Sequence, residues 1–134
     1  MSTVYVPHEP MPNGRGWTPD LGPATGYGII KYVFGGSEQA YNNTPLRVDQ
    51  AQERLADFDP AADYILWPNT GDPATQWIVI MTLLAMGHRN IKFLYWNRER
   101  SDSGSVIQGK GYYMPVEIDV QSVQPLSNTQ NFNS

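Results

Sequence analysis

The segment Asp63-Tyr64-Ile65-Leu66-Trp67-Pro68-Asn69-Thr70-Gly71-Asp72-Pro73 joins a strand to a helix. Residues 63–67 are apolar on both faces, which predicts a short strand covered on both sides, near the centre of a sheet. Pro68 stops the strand, and Asn69-Thr70-Gly71 makes the turn. Asp72 followed by Pro73 is an acidic N-cap with proline at the first helical position. The helix it opens should run to about Met86, with Gly87 as its C-cap glycine. Its body is apolar nearly all round, which predicts burial on more than one side, by the sheet and either the rest of the domain or a partner subunit. After His88, Arg89 and Asn90, residues 91–96 (Ile91-Lys92-Phe93-Leu94-Tyr95-Trp96) read as the next strand. Strand, helix and strand in this order form a βαβ unit with a right-handed crossover.

Working outward, residues 3–7 read as a strand and residues 8–23 as a long Pro- and Gly-rich loop. Trp17 is an expected anchor within that loop. Residues 28–34 (Gly28-Ile29-Ile30-Lys31-Tyr32-Val33-Phe34) predict a second strand, closed by Gly35 and Gly36. A turn of helix over 24–27 is an alternative start to that region. Thr44 and Pro45 resemble an N-cap and first helical residue. Leu46, Val48, Ala51, Leu55 and Phe58 then recur at helical spacing. That amphipathic helix is expected to end near Phe58, with Asp59-Pro60 terminating it. Residues 97–110 read as a polar loop or wide hairpin. Residues 111–120 read as a last strand with Tyr113, Val116, Ile118 and Val120 as its apolar positions. Pro115 assigns it to an edge or a bulge.

The fold class expected is therefore α/β, a small two- or three-layer domain. Its sheet is mixed and mostly parallel, with 4–5 strands and 2 helices. Residues 1–120 form the domain, and 121–134 a C-terminal extension with a frayed tail.

The chain has 134 residues, of which 40% are hydrophobic and 16% charged, enough for one core and too little charge for a disordered chain. There is no cysteine, which removes disulfides, thiolate nucleophiles and Cys-ligated zinc. It also biases the expected location toward the cytoplasm. The first residues show no basic stretch followed by an apolar run, so no secretory signal is expected. The longest apolar run, residues 77–86, is too short to span a bilayer. The net charge of -4 speaks against non-specific duplex DNA binding.

Candidate chemistry is sparse. Asn69, Thr70, Gly71 and Asp72 lie past the carboxyl end of a central strand, where α/β sheets bind ligands. Yet Asp72 itself supplies a carboxylate that would repel phosphate, and no dinucleotide or P-loop glycine pattern is present. His8 and His88 are the only histidines and are expected at opposite ends of the domain. No metal site and no cofactor is expected. Asp57 and Asp59 read as capping groups, and Ser101, Ser103 and Ser105 as residues of a polar loop. Arg98, Arg100 and Lys110, beside Tyr95, Trp96, Tyr112 and Tyr113, could clamp single-stranded nucleic acid, though Glu99 and Asp102 dilute the charge. The stronger interaction candidates are aromatic: Trp17, Tyr27, Tyr41, Trp77 and Trp96, with Arg98 and Arg100. They favour a protein partner or self-association, with no membrane and with nucleic acid disfavoured.

Taken in order, several strings carry a resemblance: Tyr5-Val6-Pro7-His8-Glu9-Pro10, Leu21-Gly22-Pro23-Ala24-Thr25-Gly26-Tyr27-Gly28, Leu55-Ala56-Asp57-Phe58, the segment from Asp63 to Pro73, Lys92-Phe93-Leu94-Tyr95-Trp96-Asn97-Arg98-Glu99 and Tyr112-Tyr113-Met114-Pro115-Val116-Glu117-Ile118. Across most of residues 3–120 the chain resembles small uncharacterised α/β proteins of tailed bacteriophages. The resemblance implies a phage origin and a cytoplasmic role in the infected host cell. It brings no catalytic residues with it.

The leading expectation is a non-enzymatic accessory protein acting by protein–protein interaction, with a homodimer as one form. The alternatives are a small-molecule or nucleotide-binding protein using the crevice at Asn69 to Asp72, and single-stranded nucleic-acid binding through residues 95–113.

Overall fold

In the computed structural model, residues 2–10, 20–67 and 71–119 are described, apart from the side chains of 106–110. The element order is β1 (Thr3–His8), a 3-10 helix (Gly22–Gly26), β2 (Ile29–Phe34), α1 (Thr44–Arg54), β3 (Tyr64–Leu66), α2 (Pro73–Ala85), β4 (Asn90–Arg100) and β5 (Val106–Asp119). The five strands form one sheet in the order β2-β1-β3-β4-β5. β1 runs parallel to β2 and to β3, β3 runs parallel to β4, and β5 returns antiparallel to β4. This is the mixed, mostly parallel sheet with two helices that the sequence predicts.

Right-handed crossovers explain the layers. The steps β2 to β3 and β3 to β4 move across the sheet in one direction, so α1 and α2 lie on the same face. The step β1 to β2 moves the other way, which puts the 3-10 helix on the opposite face. The two cores follow this division. Tyr5, Val33, Ile65 and Ile91 face the helices, where they meet Ala51 and Leu55 of α1 and Val79 and Leu83 of α2. Val4, Val6, Leu66 and Leu94 face the other way and meet Ala24, with Leu21 and Tyr27 packed alongside. β3 is central and contributes to both cores, which accounts for its unbroken apolar character.

The ends of α2 match their sequence signals. Asp72 is the N-cap, and its carboxylate accepts from Thr75 N at 3.0 Å. At the other end Gly87 adopts φ 95°, a conformation glycine takes without a Cβ penalty. Gly87 N donates to Leu84 O and His88 N to Leu83 O, the paired bonds of a Schellman motif.

Several boundaries differ from the sequence expectation. β1 extends one residue further, so His8 is a fully buried strand residue paired with Phe34 rather than part of a loop. The N-cap of α1 is Asn43, at φ 77°, whose side chain accepts from Leu46 N; Thr44 is already helical and turns its hydroxyl back to Ala40 O at 2.8 Å. Asn tolerates the left-handed region and caps well, so it displaces Thr44 from the role. α1 stops at Arg54, short of Phe58. Phe58 leaves the helical path and its ring sits 5.6 Å from that of Tyr5 and 5.1 Å from that of His88. The expected loop over 97–110 is mostly strand, because β4 continues to Arg100 and β5 starts at Val106. A tight connection at Gly104, φ 86°, closes this hairpin. The expected turn of helix over 24–27 is present as the 3-10 helix. Trp17, most of the 8–23 loop, Asn69, Thr70 and the 121–134 extension lie outside the described residues.

Candidate interaction surface

The strand order reverses between β1 and β3, so their carboxyl ends are where a doubly wound sheet opens a ligand crevice. Among the described residues that crevice is occupied by tightly joined protein groups. One oxygen of Asp72 accepts from Thr75 N, from the Thr75 hydroxyl and from Ala40 N at 3.3 Å. Burial pushes the Asp72 carboxyl up, but the hydrogen bonds from Thr75 and Ala40 outweigh it and hold the group below its ordinary value. Gly71 lies so close to His8 that an added Cβ would fall 2.5 Å from Nδ1. His8 Nδ1 is 2.9 Å from Glu9 O and 3.3 Å from Asp72 N, so it donates to the first in one tautomer and accepts from the second in the other. Gln76 Nε2 donates to Gly71 O at 2.9 Å. The His8 contacts with Gly71 and Asp72 hold the turn to β1, and the Asp72–Ala40 bond holds it to the loop before α1. An open depression of about 610 Å³ lies at the other end of the sheet, lined by Ser2 and residues 25–30.

His8 and His88 fall at opposite ends of the sheet, at the last residue of β1 and just before β4. Among the described residues no three His, Asp or Glu side chains cluster to hold a metal ion. No helix among them is long and apolar enough to cross a membrane. The charged groups near α1 serve the fold. Glu38 takes both guanidinium nitrogens of Arg54 at 3.0 Å, and this pairing holds its carboxyl below the ordinary value despite partial burial.

On the β4–β5 hairpin several large side chains remain open. In an antiparallel pair, residues opposite each other project to the same face. Ile91 pairs with Ile118, Phe93 with Val116, Tyr95 with Met114 and Asn97 with Tyr112. Ile91 and Phe93 belong to the helix-side core, so all eight of these residues look toward the helix face. None of the eight is charged. Tyr95 is 47% exposed, Tyr112 50% and Ile118 44%. Trp67 leans on Phe93 at 6.1 Å between ring centroids and is also exposed.

The helix layer stops short of these strands. α2 packs beside α1 and over β1, and directs Val79 and Leu83 inward toward Ile65 and Ile91. Its opposite side carries Trp77 and Met81, both 60% exposed. Burial on more than one side, as expected for α2, is present toward the sheet and α1, while Trp77 and Met81 stay open. The result is an apolar ridge, α2, standing beside an apolar shelf, the hairpin face.

The other sequence candidates are dispersed. Tyr27 packs its ring on Tyr64 at 5.5 Å and donates its hydroxyl to Tyr113 O, which places it in the opposite core. Trp96 stacks edge-on against Tyr113 at 4.8 Å on that same side. Tyr41 is exposed in the loop before α1, away from the hairpin. By strand alternation Arg98 shares the face of Trp96, whereas the exposed rings of Tyr95 and Tyr112 are on the other. Arg100 follows a register shift and binds Gly104 O at 2.9 Å. The expected apolar set Tyr113, Val116 and Ile118 is split, with Tyr113 on one face and the other two on the opposite one. Met81, Met114 and Tyr112 join the surface although none was singled out for it. The alternation of Tyr112, Met114, Val116 and Ile118 is the signal that marks the two on β5, and Met81 follows Trp77 by four residues on the same helix face.

A five-stranded, mostly parallel sheet with an antiparallel edge hairpin defines a small α/β domain. The chain belongs to the phage Pam3 gp32-like protein family, whose profile matches residues 2–119. No curated protein and no solved structure matches the chain.

Proposed function

We propose that this is a non-enzymatic phage accessory protein that acts by protein–protein interaction, self-association included, in the cytoplasm of the infected cell. The interacting surface is the helix-side face of β4 and β5 together with the outer side of α2. One observation carries the reading: eight paired hairpin positions present a continuous uncharged face, and among the described residues no helix covers its exposed part. Large exposed apolar patches on soluble proteins mark interaction sites.

The crevice reading at Asn69 to Asp72 has less support, because the capping carboxylate and the Gly71–His8 contact already fill the described part of it. The nucleic-acid reading has less support as well, since Arg98 lies on the face opposite the exposed tyrosines.

Size-exclusion chromatography of extracts from phage-infected cells, tracking the tagged chain, tests the proposal. The expected elution is well above the 15.1 kDa of one chain, returning to the monomer position for Tyr95→Lys. A wild-type chain that elutes as a monomer in the extract would overturn it.

A further inference from the structure

We infer that the partner on this face is a second copy of the chain, docked about a two-fold axis so that the α2 ridge of each copy seats on the hairpin shelf of the other. The inference rests on the proposed interaction surface and names its occupant.

Shape is the first argument. A ridge beside a parallel shelf is self-complementary under a two-fold rotation, because Trp77 and Met81 of one copy then meet Tyr95 and Met114 of the other, and the reverse contact forms at the same time. Charge is the second. The chain carries a net charge of -4, so two copies repel unless their contact is free of like charges. The eight hairpin positions carry no charge, and Trp77 and Met81 add none.

Area is the third. The open fractions of Trp77, Met81, Tyr95, Tyr112, Met114 and Ile118, applied to side chains of roughly 200 Å² each, leave roughly 600 Å² of apolar surface on one copy. A stable interface buries about 800 Å² per partner including its polar rim. The exposed apolar area is thus the right size for the centre of one.

The edge of β5 offers no competing contact. Pro115 lies opposite Leu94 and has no N–H, so it fits the ladder only with its imide nitrogen turned to the free edge. An approaching strand would find a missing donor there, followed by Glu117 and Asp119. Pairing of two copies through their β5 edges is therefore disfavoured, which leaves the hairpin face as the contact on this side of the sheet.

The chain has no cysteine, which makes single-cysteine variants clean reporters. Sedimentation equilibrium of the purified full chain should give twice 15.1 kDa, falling to the monomer mass for Met81→Lys and Tyr95→Lys with unchanged circular dichroism. A tagged Met81→Cys chain mixed with untagged Met114→Cys should form a cross-chain disulfide under mild oxidation, and Glu117→Cys should not cross-link to itself. A monomeric purified wild type overturns the inference. If the face variants still abolish a complex in infected extracts, the interaction surface stands and its occupant is a different protein. Efficient self-cross-linking of Glu117→Cys also overturns it, in favour of edge pairing.

Discussion

The Asp72 carboxylate joins the first turn of α2 to the backbone N–H of Ala40, 32 residues earlier in the chain. One side chain thus caps a helix and fixes the loop that leads into α1. Removing it leaves Thr75 N without its cap and Ala40 N without its acceptor. Asp72→Ala should destabilise the fold by about 1–2 kcal/mol, the usual range for losing a cap. Asp72→Asn should keep most of that, since Asn caps nearly as well. Urea unfolding of the two variants makes the comparison.

The contact between Gly71 and His8 gives a steric prediction. A methyl group at position 71 would fall 2.5 Å from His8 Nδ1 and 2.6 Å from its Cβ, and His8 is fully buried. Gly71→Ala should cost about 1–3 kcal/mol through overpacking. Gly26→Ala is the control: its Cβ meets nothing within 4 Å, and the change should stay within about 0.5 kcal/mol.

Acid should weaken the fold through two carboxylates. Asp72 and Glu38 are both held below their ordinary values, Asp72 because its hydrogen bonds outweigh burial and Glu38 chiefly by Arg54. A carboxyl whose folded value is depressed contributes stability that is fully present above its unfolded value and is lost as pH falls through the folded one. The thermal midpoint should therefore be flat near neutrality and drop once pH passes below roughly 4. In the double variant Asp72→Asn, Glu38→Gln that acid slope should be shallower. An unchanged slope would show that other groups govern it.

Pro115 makes a prediction about solubility. Pro115→Val restores an N–H on the free edge of β5 and suits a strand. The variant should keep its circular dichroism spectrum but show faster, concentration-dependent turbidity on heating than the wild type.

How much of this was readable from residues depends on the range of the interactions involved. The start and end of α2 follow from Asp72, Pro73 and Gly87, because capping is settled within one turn of helix. The central place of β3 follows from Ile65 and Leu66 being apolar on opposite faces. The length of the hairpin does not follow, since Asn97 to Arg100 is polar and takes strand form only by pairing with residues of β5. The buried place of His8 was equally hidden, for it depends on Phe34 and Gly71. The interaction surface was half legible. Trp77 stood out as an aromatic on an apolar helix, but its joining with Tyr95 and Met114 depends on where the helix layer stops.

The placement of β1 in the sheet also has a consequence in time. It is made before the other four strands, yet it lies between β2 and β3, and Val4 finds its partner Tyr64 only 60 positions later. The β4–β5 hairpin, by contrast, closes between near neighbours such as Arg100 and Val106. Local pairings form faster than distant ones. Of the five strands the last two are therefore the quickest to pair, while β1, buried from Val4 to His8 in the finished protein, waits for β3 during synthesis. Slowing translation beyond β3 should thus prolong the exposure of the β3 edge that β4 covers rather than that of β1, whose two flanking strands are complete by Leu66.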